Sequence, residues 1–228
     1  MIQVFASWSG GKDSCFACYR AILEGFRVSH LLNMITEDGR RSCSHGLSAE
    51  LIAGQSAAIG IPILQRKTTM ETYEQEFKSA IHELRKVGVE GGIFGDIDFE
   101  EHRQWVDRVC RAAGVQAFLP LWGCDQMQLL KEFIGAGFKA LVVAVNGELF
   151  GEEWVGRELD STFITHVSDL KQKFNISMCG EAGEYHTLVV DGPLFKKRIE
   201  ILESSKVQRN GYYFLDISKY ELKAKCLK

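Results

Sequence analysis

The strongest constraint on this chain lies at residues 9–14, where the first apolar run gives way to the first helical stretch through Ser9-Gly10-Gly11-Lys12-Asp13-Ser14. Residues 2–8 read as a short buried strand. Residues 15–24 carry helical spacing, with Phe16, Tyr19, Ala21, Ile22 and Leu23 available to a core. A glycine pair between strand and helix lets the backbone turn tightly and leaves its N–H groups uncovered. The new helix aims its positive end at the same place. Lys12 adds a mobile cation, and Ser9 and Ser14 add hydroxyl donors. The ligand that suits such a loop is a pyrophosphate. The arrangement is not a Walker A loop, which requires a glycine five residues before the Gly-Lys pair, because position 6 is alanine.

Downstream, apolar runs alternate with amphipathic stretches. The pattern predicts strands at 2–8, 28–35, 61–65, 91–95, 115–119 and 140–145, and helices near 14–24, 48–58, 71–87, 100–113 and 125–136. Gly25, Gly60, Gly88, Gly114 and Gly137 each follow the last periodic residue of a helix, as C-terminal caps do. Such alternation with short connections predicts an α/β fold, a doubly wound parallel sheet with helices on both faces. After Asn146 the rhythm changes. Residues 147–154 are acidic and glycine-punctuated and read as a surface loop, and a helix follows near 161–174. Strands are expected at 185–190, 198–202 and 212–217, separated by turns at Asp191-Gly192-Pro193 and Arg209-Asn210-Gly211. This second part is a smaller α+β domain. The expected domains are 1–122 and 123–228, with the strand at 140–145 assignable to either.

Composition narrows the function classes. At 228 residues and 46% hydrophobic content, the chain can bury a sizeable core. A net charge of −3 gives no electrostatic reason to expect a nucleic-acid partner, and Lys196-Lys197-Arg198 reads as a solvated strand end. No apolar run approaches the ~20 residues of a membrane span. The first strand begins too early to leave room for a cleavable signal. Seven scattered cysteines, an odd number, point to reduced thiols in a cytoplasmic protein. Cys15 and Cys18 fall on one helix face as core residues, and no second Cys-x-x-Cys exists to complete a zinc site.

The hexapeptide at 9–14 resembles the PP-loop of the N-type ATP pyrophosphatases, which have an adenine nucleotide alpha-hydrolase-like fold and split ATP into AMP and pyrophosphate. The resemblance implies a strand order 3-2-1-4-5, with ATP held by Ser9, Gly10, Gly11, Lys12, Asp13 and Ser14. In such open sheets ligands bind beyond the carboxyl ends of the strands, where the order reverses. Gly95 and Asp96 end the fourth strand there. Gly95 would allow close backbone approach. Asp96 would bind Mg²⁺ directly or through water, with a helix N-cap as its alternative. Asp13 is a second metal candidate, since an acid inside a phosphate loop is otherwise repulsive. His102 and Arg103 reach back to the ligand end of the sheet, or else form an exposed pair among Glu100, Glu101 and Asp107. His45, in the loop 42–47 after the second strand, is a candidate for the triphosphate or the acyl group. A cap-and-turn role for Ser44 and Gly46 is the alternative there.

A second signal is Cys179-Gly180-Glu181-Ala182-Gly183-Glu184-Tyr185-His186-Thr187. Two glutamates with small residues between them, just before a strand, read as carboxylates projecting from an exposed turn. They could hold an ammonium or deprotonate an attacking amine, or else form a charged hairpin entrance. Together with the PP-loop, this block resembles the diphthine–ammonia ligase family over nearly the whole chain. Further shared features are Gly60-Ile61-Pro62, Pro120-Leu121-Trp122-Gly123, Trp154-Val155-Gly156-Arg157 and Asp191-Gly192-Pro193-Leu194-Phe195.

The resemblance implies ATP-dependent amide synthesis with Mg²⁺. A substrate carboxylate attacks the α-phosphate of ATP to give an acyl-adenylate and pyrophosphate, and ammonia displaces AMP. The carboxylate implied is diphthine, a modified histidine on elongation factor 2. Lys12 would act on the phosphates, Glu184 would position or deprotonate ammonia, and Glu181 and His186 would shape the acceptor pocket. His186 stands where typical ligases carry an acid. A sister group with Cys-Gly-Glu-x-Gly-Glu-Tyr-His-Thr is linked instead to amidation of small metabolites. Two further alternatives are a non-catalytic ATP- or AMP-binding regulator and a tRNA-thiolating enzyme, the latter disfavoured by charge and cysteine content.

Overall fold

The computed structural model describes residues 1–225 of the chain. It divides into two compact units, one of Met1–Ser9 with Asp13–Gly123, the other of Gly10–Lys12 with the chain from Cys124 onward. The second unit thus takes three residues of the glycine loop, which no single cut in the sequence expresses.

In the first unit β1 (Gln3–Ser7), β2 (Arg27–Thr36), β3 (Ile63–Thr68), β4 (Gly91–Ile93) and β5 (Gln116–Phe118) form a parallel sheet. Its order is β3-β2-β1-β4-β5, as expected, so the order reverses at β1. The connecting helices are α1 (Lys12–Leu23), α2 (Ala49–Ile59), α3 (Tyr73–Arg85) and α4 (Glu100–Ala113). Phe77, Ala80, Ile81 and Leu84 recur at helical spacing on α3 and are buried in one cluster with Phe5, Phe94, Val106 and Val109. Fully burying a side chain such as Phe77 contributes ~1.5–3 kcal/mol, and truncating it to alanine would cost ~3–5 kcal/mol. Gly60 and Gly114 end α2 and α4 in the left-handed conformation that favours glycine. Cys15 and Cys18 are fully buried on α1, and burial pushes the Cys18 thiol up to about 12, so both behave as small apolar residues.

The second unit holds an antiparallel sheet of β6 (Lys139–Asn146), β7 (Tyr185–Asp191), β8 (Lys197–Arg209) and β9 (Tyr212–Ala224), in the order β7-β6-β9-β8. Helices α5 (Gln126–Gly135) and α6 (Ser161–Phe174) belong to the same unit. The strand left open between the two parts therefore joins the antiparallel sheet. β8 and β9 are much longer than predicted. Residues 203–209 are mostly exposed and polar, so cross-strand hydrogen bonds rather than an apolar pattern extend the hairpin there. The stretch 147–154 is not an open surface loop either. Phe150 and Trp154 are buried, and Trp154 stacks on His166 with ring centroids 3.8 Å apart.

Candidate active site

In the first unit the exit of β1 carries Ser9, whose hydroxyl lies 3.1 Å from that of Ser14. The Ser9 N–H also points at the Ser14 hydroxyl, at 3.4 Å. β4 ends against this turn. A Cβ built on Gly95 would stand 2.8 Å from the Asp13 carbonyl carbon and from the Ser14 amide nitrogen. Only glycine admits so close an approach of two backbones.

Next to Gly95, the Asp96 carboxyl is held above its usual range, mainly by burial. His102 opposes that rise with Nδ1 3.3 Å from Oδ1, and the charge of Asp13 adds to it. Two carboxylates that repel each other across a shared space form a site where a cation would be stabilised. Among the described residues no group of three or more His, Cys, Asp or Glu side chains is arranged to hold a metal. A Mg²⁺ ion held by Asp13 would need phosphate oxygens and water as its other ligands, which is its usual pattern. The residues present fit that demand.

The expected pair His102-Arg103 splits. His102 faces Asp96, whereas the Arg103 guanidinium lies over the Trp122 ring at 4.9 Å and its Nε is 3.9 Å from Asp107. The indole face draws Arg103 away because a flat, weakly hydrated cation stacks well there. His45 sits half-buried in a turn preceded by Ser42, whose hydroxyl accepts a hydrogen bond from Asn33 at 2.9 Å. Asn33 also donates to the Trp8 carbonyl at 2.8 Å, and the Trp8 indole donates to Gln55 at 3.0 Å. This buried polar set at the exits of β1 and β2 went unnoticed in the sequence. Its signal was an amide in each of two apolar runs.

In the second unit the side chains converge on Lys12, which is only 4% exposed. The Gly10 carbonyl accepts from Val189 N–H at 3.0 Å, and the Lys12 N–H donates to the Thr187 hydroxyl at 3.0 Å, so Gly10, Gly11 and Lys12 run beside β7. Gly10 takes φ +85°, the left-handed region. The Lys12 ammonium donates to the Cys179 carbonyl and lies 5.1 Å from the centroid of the Tyr185 ring. Burial, then the charge of Lys12, pushes His186 down to about 4, so its ring is neutral at neutral pH.

Glu184 differs from its expectation. It is buried rather than projecting from an exposed turn, and its two carboxylate oxygens accept from the N–H groups of Ser177 at 2.6 Å and Ala182 at 3.0 Å. An acid that follows a glycine turn can fold back on its own loop and satisfy amides that the turn leaves unpaired. Glu181 is half-buried, and its N–H donates to the Ser177 hydroxyl at 3.1 Å. Gln126 was not foreseen. Its side-chain oxygen accepts from the Ser177 hydroxyl and the Cys179 N–H, both at 2.9 Å, and so fixes the carbonyl that receives Lys12. Gln126 lies about fifty positions upstream of its partners, and no local pattern announces such a contact.

Comparison with known proteins covers both units. Residues 2–117 match the family described as "Diphthamide synthase N-terminal domain", and residues 125–222 match "Diphthamide synthase C-terminal domain". A protein of Danio rerio named "Diphthine--ammonia ligase" is 30% identical over 227 residues, covering 88% of this chain and 86% of that protein. Its counterparts of the same name in Homo sapiens and Rattus norvegicus are 29% and 28% identical, over 90% and 97% of this chain and 85% and 91% of their own lengths. A solved chain from Methanocaldococcus jannaschii, described as "predicted subunit of tRNA methyltransferase", is 14% identical with a TM-score of 0.48. It covers 84% of this chain and 98% of that one, a likeness too slight to bear on the argument.

Proposed function

Because the chain belongs to the diphthamide synthase family, we propose that it is an ATP-dependent carboxylate–ammonia ligase acting on diphthine. The carboxylate of the substrate attacks the α-phosphate of ATP, the α–β bond breaks and pyrophosphate leaves. Ammonia then attacks the acyl carbon, AMP departs and the amide remains. A carboxylate is a poor acyl donor, and adenylation converts it into one with a good leaving group. Elongation factor 2 is the carrier we assign to the diphthine side chain.

Lys12 carries the reading. The ammonium of the glycine loop is held by the carbonyl of Cys179 and the ring of Tyr185, and the Lys12 backbone N–H donates to the hydroxyl of Thr187, so the two motifs that mark the family meet on one residue. Donors fixed in this way stabilise charge developing on a departing pyrophosphate without reorganising at that moment. The neutral ring of His186 adds no second positive charge beside Lys12. Ser9 and Ser14 supply hydroxyl donors, and Asp13 would hold Mg²⁺, which would supply positive charge to the phosphates. Glu184 is a positioning residue that keeps the loop 177–184 in shape. We assign the incoming ammonium to Glu181, on the same loop.

The test is to incubate the protein with ATP, heavy-nitrogen ammonium and diphthine-bearing elongation factor 2, and to read the label by mass spectrometry. Label in the substrate side chain only when ATP is present supports the reading. No label with all components present overturns it.

A further inference from the structure

A cavity of about 300 Å³ lies within the first unit, among the exits of β1 and β4 and the first turns of α3 and α4. Its wall is a continuous set of aromatic rings. Tyr73 stacks on Phe77 with centroids 6.1 Å apart, and Phe94 lies 6.2 Å from Phe77. Trp105 meets Phe77 edge-on at 5.3 Å and Tyr73 at 5.9 Å. Phe77 and Phe94 are buried, while Tyr73 and Trp105 are half-buried, so the latter two are the rings a ligand can touch. Asp96 and His102 form the polar side. Tyr73 and Asp96 both line this cavity, so the Asp96 carboxylate and the Tyr73 ring face a common space.

An anion would be repelled by Asp96 and by the ring faces. A purely apolar ligand would gain nothing from the carboxylate beside it. A quaternary ammonium suits both sides: it has no N–H to satisfy, and ring quadrupoles and a carboxylate attract its charge together. We propose that this cavity is an aromatic cage for a quaternary ammonium group, gripped by Tyr73 and Trp105 with Asp96 as the counter-charge. The proposal rests on the ligase reading, whose substrate diphthine is a betaine with a trimethylammonium beside the carboxylate to be amidated. Asp96 follows Gly95, which abuts Asp13 and Ser14, so a betaine gripped here presents its carboxylate on the side of the phosphate loop.

The experiment is an NMR titration of the whole chain with glycine betaine and with tert-butylacetate, its carbon isostere of the same shape and no cationic charge. We expect betaine to bind at least about 5-fold more tightly, with its N-methyl protons shifted upfield by the rings. Tyr73→Leu and Trp105→Leu keep an apolar wall and remove a ring. Each should weaken betaine by about 5- to 30-fold and leave ATP affinity unchanged. Tighter binding of tert-butylacetate by the unaltered protein, a comparison that needs no variant, would overturn the cage and leave a merely apolar cavity. Weaker ATP binding in the Leu variants would also overturn it, and would assign the cavity to the base of the nucleotide. The titration involves no turnover and is separate from the amidation assay. Amidation without betaine selectivity removes the cage alone, whereas selectivity without amidation removes the ligase reading.

Discussion

Lys12 is an unusual lysine, buried with its ammonium against a carbonyl and a ring. Lys12→Met keeps the apolar stem over Tyr185 and removes the charge. Its affinity for ATP should fall by ~30- to 1,000-fold, about 2–4 kcal/mol, by calorimetry. Equal affinity would remove Lys12 from the nucleotide site. Glu184→Gln keeps one acceptor oxygen and turns an amide group toward the other N–H, which should cost about 1–3 kcal/mol of stability. The measurement is chemical denaturation beside amide formation. Unchanged stability with lost amide formation would return Glu184 to the chemistry. His186 sets a pH dependence, because the unfolded ring takes its proton near 6.5 and the folded ring near 4. Between those values the unfolded state binds more protons, so stability falls as pH drops from 6.5 toward 4 and is undiminished above 6.5, by at most about 3 kcal/mol. His186→Asn should flatten that part of the stability curve, and an unaltered slope would place the effect elsewhere. At this scale the sequence marked the phosphate loop because its chemistry is contiguous, whereas Gln126 acts on residues about fifty positions away in the chain and left no pattern.

Among the elements, β4 leaves its glycines no room for a side chain. A Cβ at Gly91 would stand 2.6 Å from the Phe118 ring, one at Gly92 2.5 Å from the Phe5 ring, and one at Gly95, just past the strand, 2.8 Å from the loop backbone. Gly92 and Gly95 should respond differently. Gly92→Ala meets a ring that can shift and should cost ~1–3 kcal/mol of stability without a selective effect on ATP. Gly95→Ala meets backbone at the phosphate loop and should weaken ATP by tenfold or more, as calorimetry on the two variants would show. Equal ATP affinities in the two would detach Gly95 from the site. The helices and strands of the first unit were legible because both faces of its sheet are covered, so apolar runs and amphipathic helices alternate cleanly. The lengths of β8 and β9 were not, because exposed polar residues in a hairpin carry no burial pattern. β6 was ambiguous for the opposite reason: Ala140, Val142, Val143, Ala144 and Val145 are all buried, and a run so apolar fits a parallel or an antiparallel sheet equally well.

At the scale of the whole molecule, the two family matches and the two compact units divide the chain near the same place, yet Gly10–Lys12 belong with the second unit. With Lys12 as the proposed phosphate ligand, a chain that lends this residue to the unit bearing residues 179–187 should bind ATP only when that unit is folded. No helix among the described residues is long and apolar enough to cross a membrane. The family resemblance was legible because two separated motifs coincide on one chain, whereas the aromatic cavity was hidden because Tyr73 and Trp105 lie on different helices at ordinary core spacing. The most direct measurement of the proposed activity is phosphorus NMR of a turnover mixture containing Mg-ATP, ammonium and the diphthine substrate. AMP and pyrophosphate should appear together, in amounts equal to the amide formed and only when both ammonium and the carboxylate are present. Accumulation of ADP and phosphate, or of AMP without amide, would contradict the ligase chemistry.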